Sequence, residues 1–440
     1  MTRRLLPDGT LPVGAGLAVL GLAAYVHLAV AGHRLDPAGY SSLSVCWAIV
    51  FTAGLGLFMP IEQEISCHVA TRRRLGHPTR PTLLRVGVLA ALAAGLLAGL
   101  VLAAAGPLTD RLFGGATALP WATAAALVGL AGAHTSRGLL AGLGRFHRYG
   151  VQLGLDGALR IGLVGLVALA GADSPGWYAA VLALAPPAAA LLTTPLRTRP
   201  PLTRQPLTRQ PGPVAWSTLL PALGLLVVAS LLAQLVANLG VITARLLAPA
   251  QAAVAGAVLS ALVLVRIPLF VFAALQAPLL PGLSATLATG DHPAYRRLLG
   301  RGLAAVTLLG AAGGLLTVGF GPWLVRYLFD APAVLGRADF GWLAAGTLAY
   351  LWALVLGQAL LAAGRHRGQA VGWTAGTAAL AAVTLLPAEL AVPTRVGAGY
   401  TAGALVAATA MALLLRHVGP AAGQPVAPGP TPATAGNRRP

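Results

Sequence analysis

The sequence predicts an all-α polytopic membrane protein, with twelve transmembrane helices arranged as two six-helix parallel repeats around a central cavity. Three observations predict it. Of 440 residues 57% are hydrophobic and only 9% charged, with a mean hydropathy of +0.78, which leaves too few charges to cover the surface of a water-soluble domain. Apolar stretches long enough to cross ~30 Å of hydrocarbon recur along the chain, separated by short turns rich in Gly, Pro, Asp and Arg. The second half of the chain also repeats landmarks of the first.

Charge adds an orientation. The 30 basic and 11 acidic residues give +19. In a soluble protein that excess would point to nucleic acid, but here the basic residues cluster between apolar runs, so no nucleic-acid partner is expected. All of them are Arg, which excludes a Walker-type phosphate loop, a Schiff-base lysine and a lysine general base. Cys46 and Cys67 sit at opposite ends of one apolar segment, too far apart along a helix to bridge. With neither CxxC nor HExxH and scattered histidines, neither a metal nor a cofactor is expected.

The spans fall near 12–32, 41–63, 84–105, 119–142, 150–171, 176–195, 214–239, 251–285, 300–325, 341–363, 369–388 and 394–415. The first follows MTRR and imitates a signal peptide, but its length of some 20 residues and its partner in the second half favour an uncleaved span. With both termini in the cytoplasm, 21 arginines fall inside and 6 outside, leaving Arg137, Arg160 and Arg266 within spans. This is the positive-inside pattern of a multi-pass protein of the bacterial plasma membrane. Four segments result: an N-terminal lobe over 1–196, a Pro/Arg-rich cytoplasmic linker over 197–213 with a tandem PLTRQ, a C-terminal lobe over 214–416, and a Pro/Ala/Gly tail over 417–440 expected to be disordered.

The repeat is read from residue types that apolar composition does not supply. Arg34 matches Arg245 at an offset of 211, and GPLTDRLFGG matches GPWLVRYLFD at 215. Trp121 matches Trp342 at 221, Gly144 matches Gly364 at 220, and Tyr178 matches Tyr400 at 222. The near-constant offset describes a duplication with small insertions. A parallel six-plus-six repeat is a transporter architecture with a central site between its halves, and not that of an enzyme. GxxxG pairs at Gly95/Gly99 and Gly138/Gly142 are expected to let helices approach closely.

A charged side chain at mid-span is unfavourable by roughly 2.5–3.5 kcal/mol on insertion scales, so each one needs a partner or a purpose. Arg266, in LVLVRIPLF, lies near the midplane and is followed by Pro268, which frees backbone carbonyls. It is the leading candidate for a cationic group in the cavity. Arg160 has Asp156 one turn before it, either a self-neutralising packing pair or a gating and ion-coupling pair. Arg137, two turns from the cytoplasmic end of its span, either snorkels as an anchor or forms the lip of the cavity. Glu62 and Glu64 either pair with the RRR of the next turn or take a proton or sodium ion. Asn238 with Gln234, His27 and His134 are candidates for hydrogen bonds to a sugar or to a facing helix.

Four features carry a resemblance to a known family: HRLDPAGYSSLSVCW after span 1, RGLLAGLGRFHRYG closing span 4, LVANLGVITARLLAPAQAAVAGAVLSALVLVRIPLFVFAALQAPLLPGLS across spans 7 and 8, and the six-plus-six plan. Over roughly 12–416 the chain resembles the polysaccharide flippases of the multidrug/oligosaccharidyl-lipid/polysaccharide (MOP) exporter superfamily. The resemblance implies translocation of a polyprenyl-pyrophosphate-linked glycan for cell-surface polysaccharide synthesis by alternating access of two lobes. Cavity arginines would meet the pyrophosphate, and Arg266 is the position carried over. The implied partners are the lipid-linked glycan, membrane lipids and the enzymes of cell-surface polysaccharide assembly. The lipid II flippases of this superfamily have fourteen spans, two more than are found here. Rival readings are a cation-coupled multidrug antiporter, which would need cavity carboxylates; a major facilitator, whose cytoplasmic turn after span 2 normally includes an acid that CHVATRRRLGHPTR lacks; a membrane glycosyltransferase, for which the outer turns are short; and a non-transporting membrane scaffold.

Overall fold

Long Ala-, Leu- and Gly-rich runs fold as helices because a backbone in hydrocarbon must satisfy its own hydrogen bonds. A computed structural model describes residues 10–74, 80–194, 216–385 and 389–416, which form fourteen helices and, among the described residues, no strand. The first half contains α1 (Thr10–Arg34), α2 (Pro37–Arg74), α3 (Arg80–Ala103), the short α4 (Ala105–Arg111), α5 (Ala118–Gly142), α6 (Phe146–Leu169) and α7 (Pro175–Thr193). The second contains α8 (Trp216–Leu247), α9 (Val254–Val265), α10 (Ile267–Ala288), α11 (His292–Phe329), α12 (Arg337–Ala362), α13 (His366–Leu385) and α14 (Val392–Arg416). The linker at 197–213 and the tail at 417–440 lie outside the described residues.

Twelve crossings result, because α4, at seven residues, is too short to cross and α9 and α10 are two halves of one span. The eighth apolar run, read as continuous over 251–285, is thus corrected: it breaks at Arg266, whose φ of −93° and ψ of 3° end α9 and begin α10. Pro268 is the cause, since it lacks an N–H and disfavours a helical ladder through the preceding turn. Two other spans are longer than read. Both α2 and α11 run for 38 residues, about 57 Å at 1.5 Å per residue, so each projects beyond the hydrocarbon.

Duplication is visible in equivalent packing: α1 against α6, α5 against α7 and α6 against α7 in one lobe are matched by α8 against α13, α12 against α14 and α13 against α14 in the other. The matching basic turns are the same device twice. Gly144 and Gly364 both adopt left-handed φ, 69° and 71°. Each is followed by an Arg whose N–H closes on a carbonyl five residues back, Arg145 on Leu140 at 2.8 Å and Arg365 on Leu360 at 2.8 Å. This is a helix C-terminus ended by a left-handed residue, which glycine adopts without strain.

The surface is that of a membrane protein. Leu84, Val88, Leu92, Leu96 and Leu100 form one exposed stripe along α3, and Leu308, Leu315, Leu316 and Phe320 another on α11, apolar faces that only lipid can cover. Exposed Trp121, Trp177, Trp323, Tyr327 and Trp342 gather at the helix ends opposite the basic turns, an interfacial aromatic belt. Of the two GxxxG pairs, only one packs. A β-carbon at Gly138 would meet the Glu62 carbonyl of α2 at 2.7 Å, whereas nothing lies within 4 Å of Gly95 or Gly99, which face outward from α3. Orientation has a direct test: with native cysteines replaced, Asp110→Cys is expected to react with an impermeant maleimide added outside intact cells, and His147→Cys only after permeabilisation.

Candidate functional site: a cavity between the lobes

The two lobes meet along α2 and α8 and again, more narrowly, where α1 faces α10 and α11. Between them lies a cavity of about 420 Å³ lined from both halves. Its lobe walls differ in chemistry. The N-terminal wall is apolar: Trp47, Phe51, Leu55 and Met59 on α2, with Trp47 and Phe51 stacked at 4.7 Å and Gln63 as the polar exception. The C-terminal wall carries Ser230, Gln234 and Asn238, spaced four apart so that α8 presents them as one stripe. Gln358 of α12 and Gln369 of α13 extend that polar surface, with Tyr350 and Trp373 between them.

Arg266 sits in this lining at the break between α9 and α10. Its Nη1 donates to Asn238 Oδ1 at 3.1 Å, while Asn238 Nδ2 donates to Gln234 Oε1 at 3.2 Å. Its guanidinium carbon lies 5.6 Å from the centre of the Tyr400 ring, within the range of a cation–π contact. No carboxylate pairs with it among the described residues, and its Nε and Nη2 make no hydrogen bond. The same helix break supplies a contact between lobes: the Val263 carbonyl, near the end of α9, accepts the Tyr25 hydroxyl of α1 at 2.9 Å.

The remaining predicted residues do not line the cavity; the expectations for Arg137 and for Glu62 with Glu64 are corrected, while Arg160 does pair with Asp156, as one of its two readings had it. Arg137 neither snorkels nor forms a lip. It is 5% exposed, and its Nη2 meets Asp156 Oδ2 at 2.6 Å inside the N-terminal lobe. Arg160, 4% exposed, meets the other oxygen of Asp156 at 2.9 Å and packs 5.9 Å from the Phe51 ring, behind the cavity wall. Glu62 does not pair with the arginines of the next turn. It accepts from Tyr149 at 2.7 Å and lies 2.6 Å from His134 Nδ1, while Glu64 pairs with His68 at 2.8 Å. The reason is that α2 continues unbroken to Arg74, which puts Arg72 about 15 Å farther along the helix from Glu62. Asp156 thus gathers Arg137 and Arg160 into one buried cluster, while Glu62 is held separately by Tyr149 and His134. His27 is fully buried against the edge of Trp47 at 5.4 Å.

The cavity is closed at one end, and its lining continues toward the other. Toward the aromatic belt, Tyr40 of α2 is hydrogen bonded to Ser260 of α9 at 2.8 Å, and Gly256 lies flush against the Tyr40 ring. Gly32 of α1 there abuts the Phe329 carbonyl at the end of α11. Toward the basic turns, the lining continues through Pro60 and Gln63 of α2, Leu226 of α8 and Leu361 of α12. Sequence reasoning did not find Ser230, Gln358, Gln369, Tyr350 or Trp373. The four-residue spacing of Ser230 with Gln234 and Asn238 was a readable signal; the others depend on tertiary packing.

No known protein-family profile matches the chain. In sequence it is 30% identical to the uncharacterized protein Rv3630 of Mycobacterium tuberculosis over 423 residues, covering 90% of this chain and 89% of that one. It is likewise 30% identical to the uncharacterized protein Rv1510 of the same organism, covering 91% and 90%. In structure it is similar to a multidrug resistance MATE family transporter of the MOP superfamily in an inward-facing conformation, with a TM-score of 0.73, 14% identity, and 93% and 97% of the two chains covered. It is also similar to a MOP superfamily transporter from Pyrococcus furiosus, described as having a binding pocket of reverse polarity, with a TM-score of 0.66, 15% identity, and 92% and 93% covered. The chain therefore belongs to the same family as the mycobacterial proteins Rv3630 and Rv1510, and it carries the twelve-helix, two-repeat fold of the MOP superfamily transporters.

Proposed function

We propose that this protein is a membrane flippase that moves a lipid-linked glycan, joined to its polyprenyl chain through phosphate, by alternating access of its two lobes. The observation that carries this reading is Arg266: a guanidinium at a mid-span helix break, in the lining of the interlobe cavity, with no carboxylate partner among the described residues. An anionic link cannot cross ~30 Å of hydrocarbon unaided, because the Born penalty of a bare charge there is prohibitive. A cation at that depth offsets the penalty, the amides of the C-terminal wall can exchange hydrogen bonds with sugar hydroxyls, and the apolar wall of α2 suits a prenyl chain. An antiporter for cationic drugs would want an acid in the cavity, and none occurs among the described residues of its lining.

The test is translocation in proteoliposomes of a fluorescent prenyl-phosphate-linked sugar, with uptake of a cationic dye under a proton or sodium gradient as the rival arm. Arg266→Gln is expected to slow sugar-lipid translocation about tenfold, the equivalent of one charge-assisted hydrogen bond. Its melting temperature, measured alongside, separates this from misfolding. Translocation equal in wild type, Arg266→Gln and empty vesicles would sink the proposal. Gradient-driven dye uptake would replace it with the antiporter.

A further inference from the structure

The charge inventory of the cavity narrows the chemistry of the headgroup, on the reading that an anionic lipid-linked glycan is the cargo. Among the described residues Arg266 is the one ionisable side chain in the lining that is charged at neutral pH; Ser230, Gln234, Asn238, Gln358 and Gln369 supply polarity without charge. The two other guanidiniums at membrane depth, Arg137 and Arg160, share the Asp156 carboxylate inside the N-terminal lobe, behind the α2 wall. The cavity therefore holds a single uncompensated positive charge.

That charge has one side occupied and one side idle. Nη1 is engaged by Asn238, whereas Nε and Nη2 have no hydrogen-bond partner and are shielded from solvent. Nε–H and the adjacent Nη2–H form the side-on fork of a guanidinium, two parallel donors whose spacing matches two oxygens on one phosphorus. Buried donors without acceptors are unfavourable, so this edge gains by meeting an acceptor, which it reaches when the guanidinium turns off the Tyr400 ring. A phosphodiester brings one negative charge and two non-bridging oxygens. A pyrophosphate diester brings two negative charges, and its second phosphate would meet only neutral amides. We propose that the cargo is a glycan joined to its polyprenyl chain by a single phosphate, held side-on by Arg266, with its sugar against the Gln234, Gln358 and Gln369 amides.

The experiment is equilibrium binding to the full-length protein in nanodiscs of zwitterionic lipid, read by the fluorescence of tryptophans that include Trp47 and Trp373 in the cavity wall. Three synthetic probes share one short prenyl chain and one monosaccharide and differ only in the link: a neutral glycoside, a monophosphate diester and a pyrophosphate diester. The monophosphate is expected to bind about tenfold more tightly than either of the others. Arg266→Gln should reduce it to the level of the neutral glycoside, and Arg266→Lys, which keeps the charge but not the fork, should recover only part. Equal or tighter binding of the pyrophosphate probe would overturn the single-phosphate inference while leaving the lipid-linked glycan reading intact. A monophosphate no tighter than the neutral glycoside would overturn both. The titration repeated in discs containing phosphatidylglycerol separates sources of phosphodiester: loss of probe binding there would assign the site to ordinary phospholipid and overturn the proposal.

Discussion

Asp156→Asn is expected to lower the melting temperature of the detergent-solubilised protein by roughly 10 °C, one of the largest single-residue effects on its stability. Asp156 is fully buried and accepts from two guanidiniums, Arg137 at 2.6 Å and Arg160 at 2.9 Å. Removing the carboxylate charge leaves both cations without their shared counter-ion in a medium that cannot solvate them, a situation that typically destabilises by about 3–5 kcal/mol. For a lobe of this size that corresponds to roughly 10 °C. Arg160→Met should be milder, because it leaves a neutral Arg137–Asp156 pair. The combination Asp156→Leu, Arg137→Met and Arg160→Met should recover most of the loss, since an apolar trio of similar volume needs no desolvation of charge. If Asp156→Asn melts with the wild type, the three groups are solvated from a path that the packing does not reveal, and the view of Asp156 as a static counter-ion fails.

That triad also marks the boundary of what the sequence could say. Charged residues inside apolar runs are visible at once, and Asp156 four residues before Arg160 announces a helical pair. What periodicity cannot supply is the direction in which a helix is rotated once packed. Arg137 lies on α5, and its partner comes from the neighbouring α6 only because the Gly144 turn folds one helix back on the other. Arg266 was easier to place, because Pro268 forces a break and a charge at a mid-span break has few uses besides facing a cavity. Gln358 and Gln369 bracket the repeated basic turn QALLAAGRHRGQ, yet their convergence on one cavity wall is set by the angle of the α12–α13 hairpin. The duplication itself was legible because Arg, Trp, Tyr and Gly at matched positions are not interchangeable with the Ala and Leu around them.

The second large effect concerns the closed end of the cavity. Gly32→Ala is expected to open it, and to reduce translocation to near the level of empty vesicles. Gly32 on α1 lies directly against the backbone carbonyl of Phe329, the last residue of α11, so these two helix ends from opposite lobes meet with no side chain between them. A β-carbon there would fall on that oxygen, and because the obstacle is backbone, no rotamer change relieves it. The helix ends must part, which removes stabilisation from the state closed on this face and shifts the population toward its opposite. Alternating access requires both states to be reachable, and a ligand can offset the bias only by its differential affinity for the two. The shift can be read apart from transport. Ala257, fully buried beside the same contact, is replaced by cysteine in a background carrying Cys46→Ala and Cys67→Ser and probed with an impermeant maleimide. Labelling should be slow in the otherwise wild-type protein and about tenfold faster with Gly32→Ala, whereas Gly14→Ala, where nothing lies within 4 Å of the new β-carbon, should leave it unchanged. Unchanged labelling in a folded Gly32→Ala protein would mean that the contact yields locally at the end of α11, and that the seal of this end rests on Tyr40 and Ser260 instead.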